Sequence, residues 1–504
     1  MPDPTPQPLD RLAGRGRDDA PALVLRERTL THAELRKRVG LLAGWLAGRV
    51  PAGARVASWA AKGELTCLLP LAAARAGVVH VPINPLLKRA QVAHILADSG
   101  AVLLMGTRAR LATLEDADLP PECSPIDEAD VFALAEAQGD HAGPSAHDPD
   151  ALAAILYTSG STGRPKGVML SHANMWLGAV SVAHYLGMAE DDVTLAVLPL
   201  SFDYGQSQLL STWYAGGCVV PLDYLFPRDV AKACARHAVT TLAAVPPLWL
   251  QLTDVEWPAE AIGSMRRLTN SGGALTLDLV RDLRGMFPQS QLFPMYGLTE
   301  AFRSTYLDPV LVDTHPTSMG RAIPFAEILV MADDGSLAGP GQEGELVHCG
   351  PLVAQGYWQD AERTAERFKP APAMSEYGGT AVWSGDRALR DADGLLHFVG
   401  RRDAMIKSAG NRISPQEIES AAVASGLVAE AVALGVQDER LGHAIHLVVR
   451  PAVGSDDPES GLRKALQKEL PNFMQPHVIH WRDTLPLNPN GKLDRTAIAT
   501  EIGA

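Results

Sequence analysis

Residues 151–167 read ALAAILYTSGSTGRPKG, an apolar segment of strand character that runs into a turn rich in Gly, Ser and Thr. Glycines let backbone N–H groups converge on phosphate oxygens, while hydroxyl groups and a lysine add donors and positive charge. We therefore predict a loop that cradles a polyphosphate, against the alternative of a flexible surface turn. A Walker A motif is excluded, because Lys166 follows Pro165 instead of standing in a Gly-Lys-Ser/Thr sequence. The residues assigned to the loop are Thr158, Ser159, Gly160, Ser161, Thr162, Gly163 and Lys166.

Short apolar runs alternate with helical stretches along the first part of the chain. ARVASWA (54–60) and GVVHVPI (77–83) have strand character, and QVAHILADSG (91–100) has helical spacing. This rhythm is typical of parallel strands joined by crossover helices. We expect an α/β fold, with a large N-terminal domain of mostly parallel sheets flanked by helices and a small mobile α+β C-terminal domain. A change from polar loop to helix near residue 400 predicts domains at 1–402 and 403–504.

Two local patterns predict the course of the chain more closely. The segment from Thr31 to Glu34 has the S/T-x-x-E form of a capping box, and apolar residues follow it at helical spacing. It predicts a helix over 31–46. Residues 117–150 are acidic and rich in proline, without sustained periodicity, so we expect an exposed connection there.

The composition limits the class of protein. Of the 504 residues, 46% are hydrophobic and 20% are charged, which is typical of a globular protein with ample material for a core. The net charge of −14, without a concentrated Lys/Arg run, argues against a nucleic-acid partner or an anionic membrane surface. Five scattered cysteines favour reduced thiols in a cytoplasmic protein over a disulfide framework or a zinc site. The sequence contains no sustained apolar run of the kind that predicts a membrane span.

The phosphate loop is one of seven motifs that stand in the order of a known family. YTSGSTGRPKG (157–167) resembles the signature loop of the adenylate-forming superfamily, which includes acyl-CoA synthetases, peptide-synthetase adenylation domains and luciferases. This resemblance covers nearly the whole chain. The other motifs that resemble the family are NSGGAL (270–275), MYGLTE (295–300), GELVHCGPLVAQGYW (344–358), WSGDRALRDADGLLHFVGRRD (383–403), IKSAGNRISPQEIE (406–419) and PLNPNGKLDR (486–495).

The resemblance implies a two-step, AMP-forming ligase. In the first step a carboxylate attacks the α-phosphorus of ATP, which gives an acyl adenylate and pyrophosphate. In the second step a phosphopantetheine thiol, carried by CoA or by a carrier protein, displaces AMP. The implied cofactors are therefore ATP, Mg²⁺ and that thiol.

Roles for individual residues are also implied by the resemblance. Glu300 would hold Mg²⁺ against the phosphates, and Thr299 would bond a phosphate oxygen. Lys492 would enter the active site from the C-terminal domain and steady negative charge during adenylation. It would then leave as that domain turns about a hinge at Asp403. The residues implied to bind the adenosine part of the nucleotide are Gly272, Gly273, Tyr296, Asp386 and Arg401.

A single carboxylate, Asp203, stands between Phe202 and Tyr204 at the end of an apolar run. Left unpaired in an apolar setting it would be very costly, so a proton or a cation is expected to meet it. The motif resembles that of amino-acid adenylation domains, in which an aspartate binds the α-ammonium group of the substrate. The resemblance therefore implies an amino-acid substrate. The alternative is an aspartate that caps a helix beginning near Tyr204.

Further substrate-binding positions, placed by motif offset, mix small and polar groups and suit a small or moderately polar side chain. Arg303 stays open between a substrate anion, a phosphate and a structural pairing with an acid, with the last two favoured. The offset positions are Tyr204, Ser207, Ala244, Thr269, Ser271, Met295 and Ser304.

We expect an enzyme that adenylates an amino acid, with L-proline or another small amino acid as the candidate. It would pass the acyl group to a phosphopantetheine thiol on a separate carrier protein. One alternative is a CoA ligase for a non-amino carboxylic acid, in which Asp203 merely caps a helix. A remote alternative is a catalytically silent nucleotide-binding protein, and retention of Glu300, Asp386 and Lys492 speaks against it.

Overall fold

The computed structural model describes residues 2–158, 165–401, 406–408, 411–438, 441–452, 458–470 and 472–504. These residues form two large, mostly parallel sheets, one antiparallel sheet and a further sheet in the C-terminal part. The predicted α/β class, with a large N-terminal domain of mostly parallel sheets and helices and a smaller C-terminal domain, is confirmed. The boundary predicted between residues 402 and 403 lies outside the described residues and stays a prediction.

The larger parallel sheet has nine strands in the described chain. Its inner strands pair in parallel, whereas the pairs at both edges are antiparallel. Several loops at one end of this sheet carry the predicted site residues. In spatial order the strands are Arg321–Ala322, Thr305–Tyr306, Gln291–Tyr296, Arg267–Asn270, Thr241–Ala244, Val193–Ala196, Cys218–Pro221, Pro21–Val24 and Thr29–Thr31.

The second parallel sheet has six strands among the described residues. Its last pair is an antiparallel hairpin in which Thr158 lies opposite Lys166, so the predicted phosphate loop joins these two strands. In spatial order the strands are Ser124–Asp127, Ala101–Gly106, Arg55–Trp59, Val79–Pro82, Leu152–Thr158 and Lys166–Ser171.

Two smaller sheets complete the described fold. The antiparallel sheet comprises Glu327–Met331, Glu343–Cys349, Thr380–Arg390, Phe368–Pro370 and Leu396–Arg401. The C-terminal sheet comprises Asn411–Ile413, Ile406–Ser408, Gly442–Pro451, Val428–Asp438 and Val478–Trp481. The C-terminal sheet packs around its own apolar core, as expected of a separate unit.

Helices cover the faces of the parallel sheets. The α-helices are His32–Arg49, Glu64–Ala76, Arg89–Ser99, Arg108–Leu111, Glu128–Gln138, His172–Tyr185, Asp203–Tyr214, Pro227–Arg236, Pro246–Thr253, Ala259–Ser264, Leu277–Met286, Ala361–Arg367, Pro415–Ala424, Pro458–Glu469 and Arg495–Ile502. The short 3₁₀ helices are Leu9–Gly14, Asp116–Asp118, Thr299–Ala301, Pro309–Leu311 and Asn472–Met474.

The predicted capping box is confirmed, and the predicted connection over 117–150 is wrong in part. Thr31 accepts from the backbone of Glu34, whose carboxylate accepts from the backbone of Thr31. Residues 117–150 contain the strand Ser124–Asp127 and the helix Glu128–Gln138. The buried residues of this helix are Val131 and Ala135, too few to give the sequence a helical period.

The buried carboxylate of Asp10 attaches the loop after the helix Glu128–Gln138 to the core. Asp10 is fully buried and accepts from Arg75 Nε at 3.0 Å. It also accepts from the hydroxyl of Ser145 at 2.6 Å and from the Ser145 backbone N–H at 3.0 Å. Backbone N–H and C=O groups of a loop need hydrogen-bond partners when they are buried, and Asp10 is the partner of the Ser145 N–H.

Asp10→Ala should therefore lower the free energy of unfolding by about 3 to 5 kcal/mol, because it leaves the Arg75 charge buried without its carboxylate. The measurement is urea denaturation followed by circular dichroism. Asp18→Ala is the control, since Asp18 pairs with Arg36 at the surface and its loss should cost at most about 1 kcal/mol. Equal losses in the two variants would contradict this account.

Candidate functional site

Asp203 is the first residue of its helix and does not cap it. Phe202 occupies the cap position, and no side chain bonds to the free N–H groups there. The Asp203 carboxylate is buried, at 6% exposure, and accepts the hydroxyl of Thr299 at 2.9 Å. Its other oxygen lies 3.4 Å from Nη1 of Arg303. The interpretation of Asp203 as a helix cap is therefore wrong.

The contact with Asp203 confirms one of the three roles considered for Arg303, the structural pairing with an acid. The side chain is 1% exposed, and its guanidinium carbon lies 4.3 Å from the ring centroid of Tyr204. Within the described chain, Nε and Nη2 of Arg303 have no hydrogen-bond partner. A buried donor without a partner costs about 1 to 3 kcal/mol, so these groups are available to a ligand with an acceptor oxygen.

The turn formed by residues 299–303 brings Thr299 and Arg303 to the carboxylate of Asp203. Phe302 has a φ of 53°, a conformation that non-glycine residues rarely adopt, and its ring is fully buried. Strain of this kind persists where the surrounding packing holds it, often at functional sites. Thr299 was assigned to a phosphate oxygen, but in this structure its hydroxyl donates to Asp203.

The other predicted pocket positions are buried. The Tyr204 hydroxyl is 2.7 Å from that of Thr269. Tyr185, which the sequence reasoning missed, donates its hydroxyl to the sulfur of Met295 at 3.0 Å. The sequence offered little indication of a role for Tyr185, because this residue lies in a mostly apolar helix and in none of the family motifs. The remaining predicted positions, all buried, are Ser207, Ala244, Ser271 and Ser304.

A second cluster joins the end of the phosphate loop to Glu300. Lys166 Nζ lies 3.1 Å from Glu300 Oε1 and 2.7 Å from the hydroxyl of Tyr357, which itself donates to Glu300 at 2.7 Å. Burial opposes ionisation of Glu300, but the Lys166 charge and the Tyr357 hydroxyl outweigh it and lower the pKa of Glu300. Tyr357 was missed, although it lies in the GYW end of a quoted motif.

The Glu300 cluster fits a Mg²⁺ ion that is shared with a nucleotide. Magnesium in nucleotide sites is commonly held by one or two carboxylates together with phosphate oxygens. The hydrogen bonds from Lys166 and Tyr357 both go to Oε1 of the Glu300 carboxylate. In the described residues there is no larger group of acidic, His or Cys side chains that would hold a metal alone.

Tyr296 and Asp386, both assigned to the adenosine, lie in contact. The Tyr296 hydroxyl donates to Asp386 Oδ2 at 2.5 Å. Arg401 is opposite Asp386 in the adjacent strand, but its side chain is not among those described. Of the remaining predicted residues, Ser159, Gly160, Ser161, Thr162, Gly163 and Asp403 lie outside the described residues.

Lys492 reaches the loop that carries the predicted adenine-binding glycines. Gly272 has a φ of 82°, and a Cβ there would lie 2.4 Å from Cε of Lys492. Lys492 Nζ is 6.0 Å from the ring centroid of Phe202, the residue before Asp203. A Cβ at Gly273 would meet Pro246 at 3.0 Å. Glycine is therefore needed at 272 for both its backbone conformation and the approach of Lys492.

Asn84 holds the loop that carries Lys492. Its Nδ2 donates to the backbone oxygen of Pro489 at 2.8 Å and to Oδ1 of Asn490 at 3.2 Å. Asn84 is 5% exposed and belongs to the N-terminal part of the chain, so these bonds join the two parts. The sequence reasoning missed it, because its partners lie 405 and 406 residues away.

A cavity of about 600 Å³ lies beside the site. Its lining includes Ser201 and Val245, which follow strands of the large sheet, and residues 487–491 from the C-terminal part form another wall. Asn84 also lines it. In the described part of the chain, no helix combines the length and the apolar character needed to cross a bilayer.

Comparison with known proteins identifies the family models that the chain matches. The AMP-binding enzyme model matches residues 9–358, and the AMP-binding enzyme C-terminal domain model matches residues 417–492. Feruloyl-CoA synthase from Amycolatopsis sp is 31% identical over 499 residues, which are 94% of this chain and 94% of that protein. Tyrocidine synthase 2 from Brevibacillus parabrevis is 30% identical over 487 residues. This match covers 95% of the chain but 13% of that longer protein.

Solved structures show the same fold. The o-succinylbenzoate CoA synthetase MenE from Bacillus subtilis, in complex with the acyl-adenylate intermediate OSB-AMP, superposes with a TM-score of 0.83 and 27% identity. The match covers 98% of both chains. The same enzyme has been solved with ATP and a magnesium ion.

Lys492→Ala should depress adenylation by about a hundredfold or more, the scale of a lost electrostatic contact in a transition state. Thiolation from a preformed adenylate should be nearly unchanged, since the lysine is predicted to act in the first step. The two half-reactions are measured by ATP–pyrophosphate exchange and by single-turnover thioester formation. Equal loss in both would show that Lys492 has a structural role.

Asn84→Ala should slow adenylation by about five- to thirtyfold, because hydrogen bonds worth about 1 to 2 kcal/mol in total then no longer hold the Lys492 loop. The loop should still reach the site, so the loss should be smaller than that of Lys492→Ala. Thiolation from preformed adenylate serves as the internal control and should not slow. A parallel loss in thiolation would mean that Asn84 only stabilises the fold.

Proposed function

We propose, because the chain belongs to the AMP-binding enzyme family, that it is an ATP-dependent ligase which adenylates an amino acid and transfers it to a phosphopantetheine thiol. The coarser part of this statement, an adenylate-forming ligase, follows from the family and from relatives that include both peptide synthetases and CoA synthetases. The amino acid and the thiol are the proposal. L-proline or another small amino acid is the candidate.

The observation that carries the amino-acid proposal is the position of Asp203. Its carboxylate is buried in the pocket and is not consumed in capping its helix. One oxygen accepts from Thr299, while the contact of the other with Arg303, at 3.4 Å, is longer than an ordinary hydrogen bond. A carboxylate has about four acceptor sites, so capacity remains for an ammonium group.

A zwitterionic substrate also matches the charges around Asp203. Two cationic side chains lie close to the segment that carries the Asp203 carboxylate: Arg303 contacts Asp203, and Lys492 contacts the ring of Phe202. An α-ammonium would pair with Asp203, while the α-carboxylate would face Lys492. Burial of a charged substrate has a tolerable free-energy cost only when each of its charges is paired.

The residues of the Glu300 cluster support the adenylation step. ATP with bound Mg²⁺ would supply the activated α-phosphorus and part of the charge neutralisation. Glu300 would ligate the metal, and its lowered pKa keeps it ionised at neutral pH. Lys166 and Tyr357 hold that carboxylate in place, and Asp386 with Tyr296 would orient the adenosine. Catalysis then rests on positioning and charge, as is usual for phosphoryl chemistry.

A CoA ligase for a non-amino carboxylic acid is the second candidate, and the Asp203–Arg303 pair favours it. Because Arg303 already supplies a cation, Asp203 does not require one from the substrate. In that case Asp203 would be structural and would hold Arg303 in place. The unpartnered Nε and Nη2 of Arg303 would then bind an acceptor oxygen of the acid.

Asp203→Asn distinguishes the two candidates. If Asp203 binds the ammonium, exchange with the preferred amino acid should fall by about two to three orders of magnitude, the equivalent of 3 to 5 kcal/mol for a broken buried charge pair. The preference for the amino acid over its deaminated analogue should fall as well, because an amide gains nothing from the positive charge. Substrate-dependent ATP–pyrophosphate exchange measures both quantities.

Asp192→Asn is the matched control for this experiment. Asp192 is also fully buried and pairs with an arginine, Arg267, at 2.7 Å, but it lies among residues without a predicted role in the site. Its loss should lower stability and leave the substrate preference unchanged. If Asp203→Asn leaves the substrate preference unchanged, the result would support the CoA ligase for a non-amino carboxylic acid.

A further inference from the structure

Arg303 differs from the other buried arginines of this protein. In the described part of the chain the buried arginines are Arg75, Arg267 and Arg303. Arg267 uses Nε, Nη1 and Nη2 in hydrogen bonds to Asp192 and to two backbone oxygens, at 2.5 to 2.7 Å. Arg75 also donates from all three nitrogens, to Asp10 and to a further backbone oxygen. Of these three arginines, Arg303 alone has an Nε and an Nη2 without a partner among the described residues.

The free edge of Arg303 has the geometry of a carboxylate site. Nε and Nη2 lie on one edge of the guanidinium plane, and their parallel N–H groups can bind both oxygens of one carboxylate. Binding through this edge leaves Nη1, on the other side of the group, in contact with Asp203. The free edge is therefore suited to a second anion, in addition to the carboxylate that Arg303 already contacts.

The tyrosines near Arg303 do not supply that anion. The Tyr204 ring lies 4.3 Å from the guanidinium carbon, and its hydroxyl is engaged with Thr269. Burial raises the pKa of Tyr185 to about 12, and the nearby Arg303 charge opposes this rise. Tyr185 is thus a neutral phenol at physiological pH, and its hydroxyl donates to the sulfur of Met295.

The proposed function leaves one positive charge in excess around Asp203. The Asp203–Arg303 pair is neutral before a substrate binds. An α-ammonium bound to Asp203 adds a second cation that shares the same carboxylate. The α-carboxylate does not balance this cation, because it faces Lys492 in the proposed arrangement. Burial of an unpaired charge is strongly unfavourable, so a further anion is needed at Arg303.

We propose that the substrate is an amino dicarboxylic acid, whose second carboxylate binds the Nε and Nη2 edge of Arg303 while its ammonium binds Asp203. This inference rests on the proposed function and narrows its substrate to an acidic amino acid. Because Nη1 of Arg303 is 3.4 Å from Asp203, the two substrate charges bind close together. A short side chain, as in aspartate or glutamate, spans such a separation. Arg303 is then a specificity-determining residue.

The first test compares acids with their amides in the wild-type enzyme. L-aspartate and L-glutamate are assayed by ATP–pyrophosphate exchange beside L-asparagine and L-glutamine, which have the same shapes without the second charge. One of the two acids should exceed its amide in kcat/KM by about a hundredfold or more, as expected of a buried charge pair. An amide that equals or exceeds its acid would overturn the proposal.

The second test changes Arg303 and keeps its charge. Arg303→Lys retains a cation beside Asp203 but loses the fork that binds both carboxylate oxygens. Exchange with the preferred acid should fall by about tenfold or more, and exchange with its amide should change little. The readout is the ratio of kcat/KM for acid and amide in one preparation, which a loss of folded protein leaves unaltered. An unchanged ratio would overturn the proposal.

Arg75→Lys is the matched control for Arg303→Lys. Arg75 is also buried and pairs with a buried carboxylate, that of Asp10, but it has no predicted role in the site. This variant should lose stability and keep the wild-type ratio of acid to amide. A fall in the ratio as large as that of Arg303→Lys would show that the ratio reports general destabilisation, and would overturn the specific role of Arg303.

Failure of the proposed function gives a different pattern. Succinate and glutarate, the deaminated forms of the two acids, are the probes. Exchange with either at the level of the amino acid, lost in Arg303→Lys, would contradict the amino-acid assignment and still support a carboxylate at Arg303. Preferred exchange with L-proline, or with another amino acid that lacks a second carboxylate, would keep that assignment and overturn the present inference.

Discussion

The contact of Asp203 with Thr299 and Arg303 is the interaction on which the geometry of the site depends. It joins the start of the helix Asp203–Tyr214 to the turn that also carries Glu300. A buried carboxylate is tolerable because of these two donors. Through Glu300 the same turn is linked to Lys166 at the end of the phosphate loop. The predicted substrate and metal residues and Lys166 thus belong to one connected network.

Lys492 lies on a loop that also contacts the N-terminal part of the chain. Its loop is joined to the N-terminal part by the two hydrogen bonds of Asn84 and by contact with Gly272. The domain movement that the family resemblance implies would break these contacts. The cavity wall formed by residues 487–491 would move with the same loop.

Much of the fold and of the site could be predicted, because local patterns and family motifs encode them. The helix capped by Thr31 and the strand that leads into the phosphate loop follow from short segments. The partners of the motif residues could not be predicted in the same way. Arg303 meets Asp203 across 100 positions, and Tyr357 meets Glu300 across 57, so no local pattern records either contact. The pairing of Asp203 matters most, because it leaves two substrate classes open.

The measurement that tests this account most directly is a substrate-dependent ATP–pyrophosphate exchange screen with the wild-type protein. It compares each small amino acid with its deaminated analogue at equal concentration. If Asp203 selects an ammonium group, one amino acid should exceed its analogue by about two orders of magnitude or more. Equal exchange with an amino acid and its analogue, or exchange with non-amino acids alone, would contradict the account and make the Asp203–Arg303 pair structural.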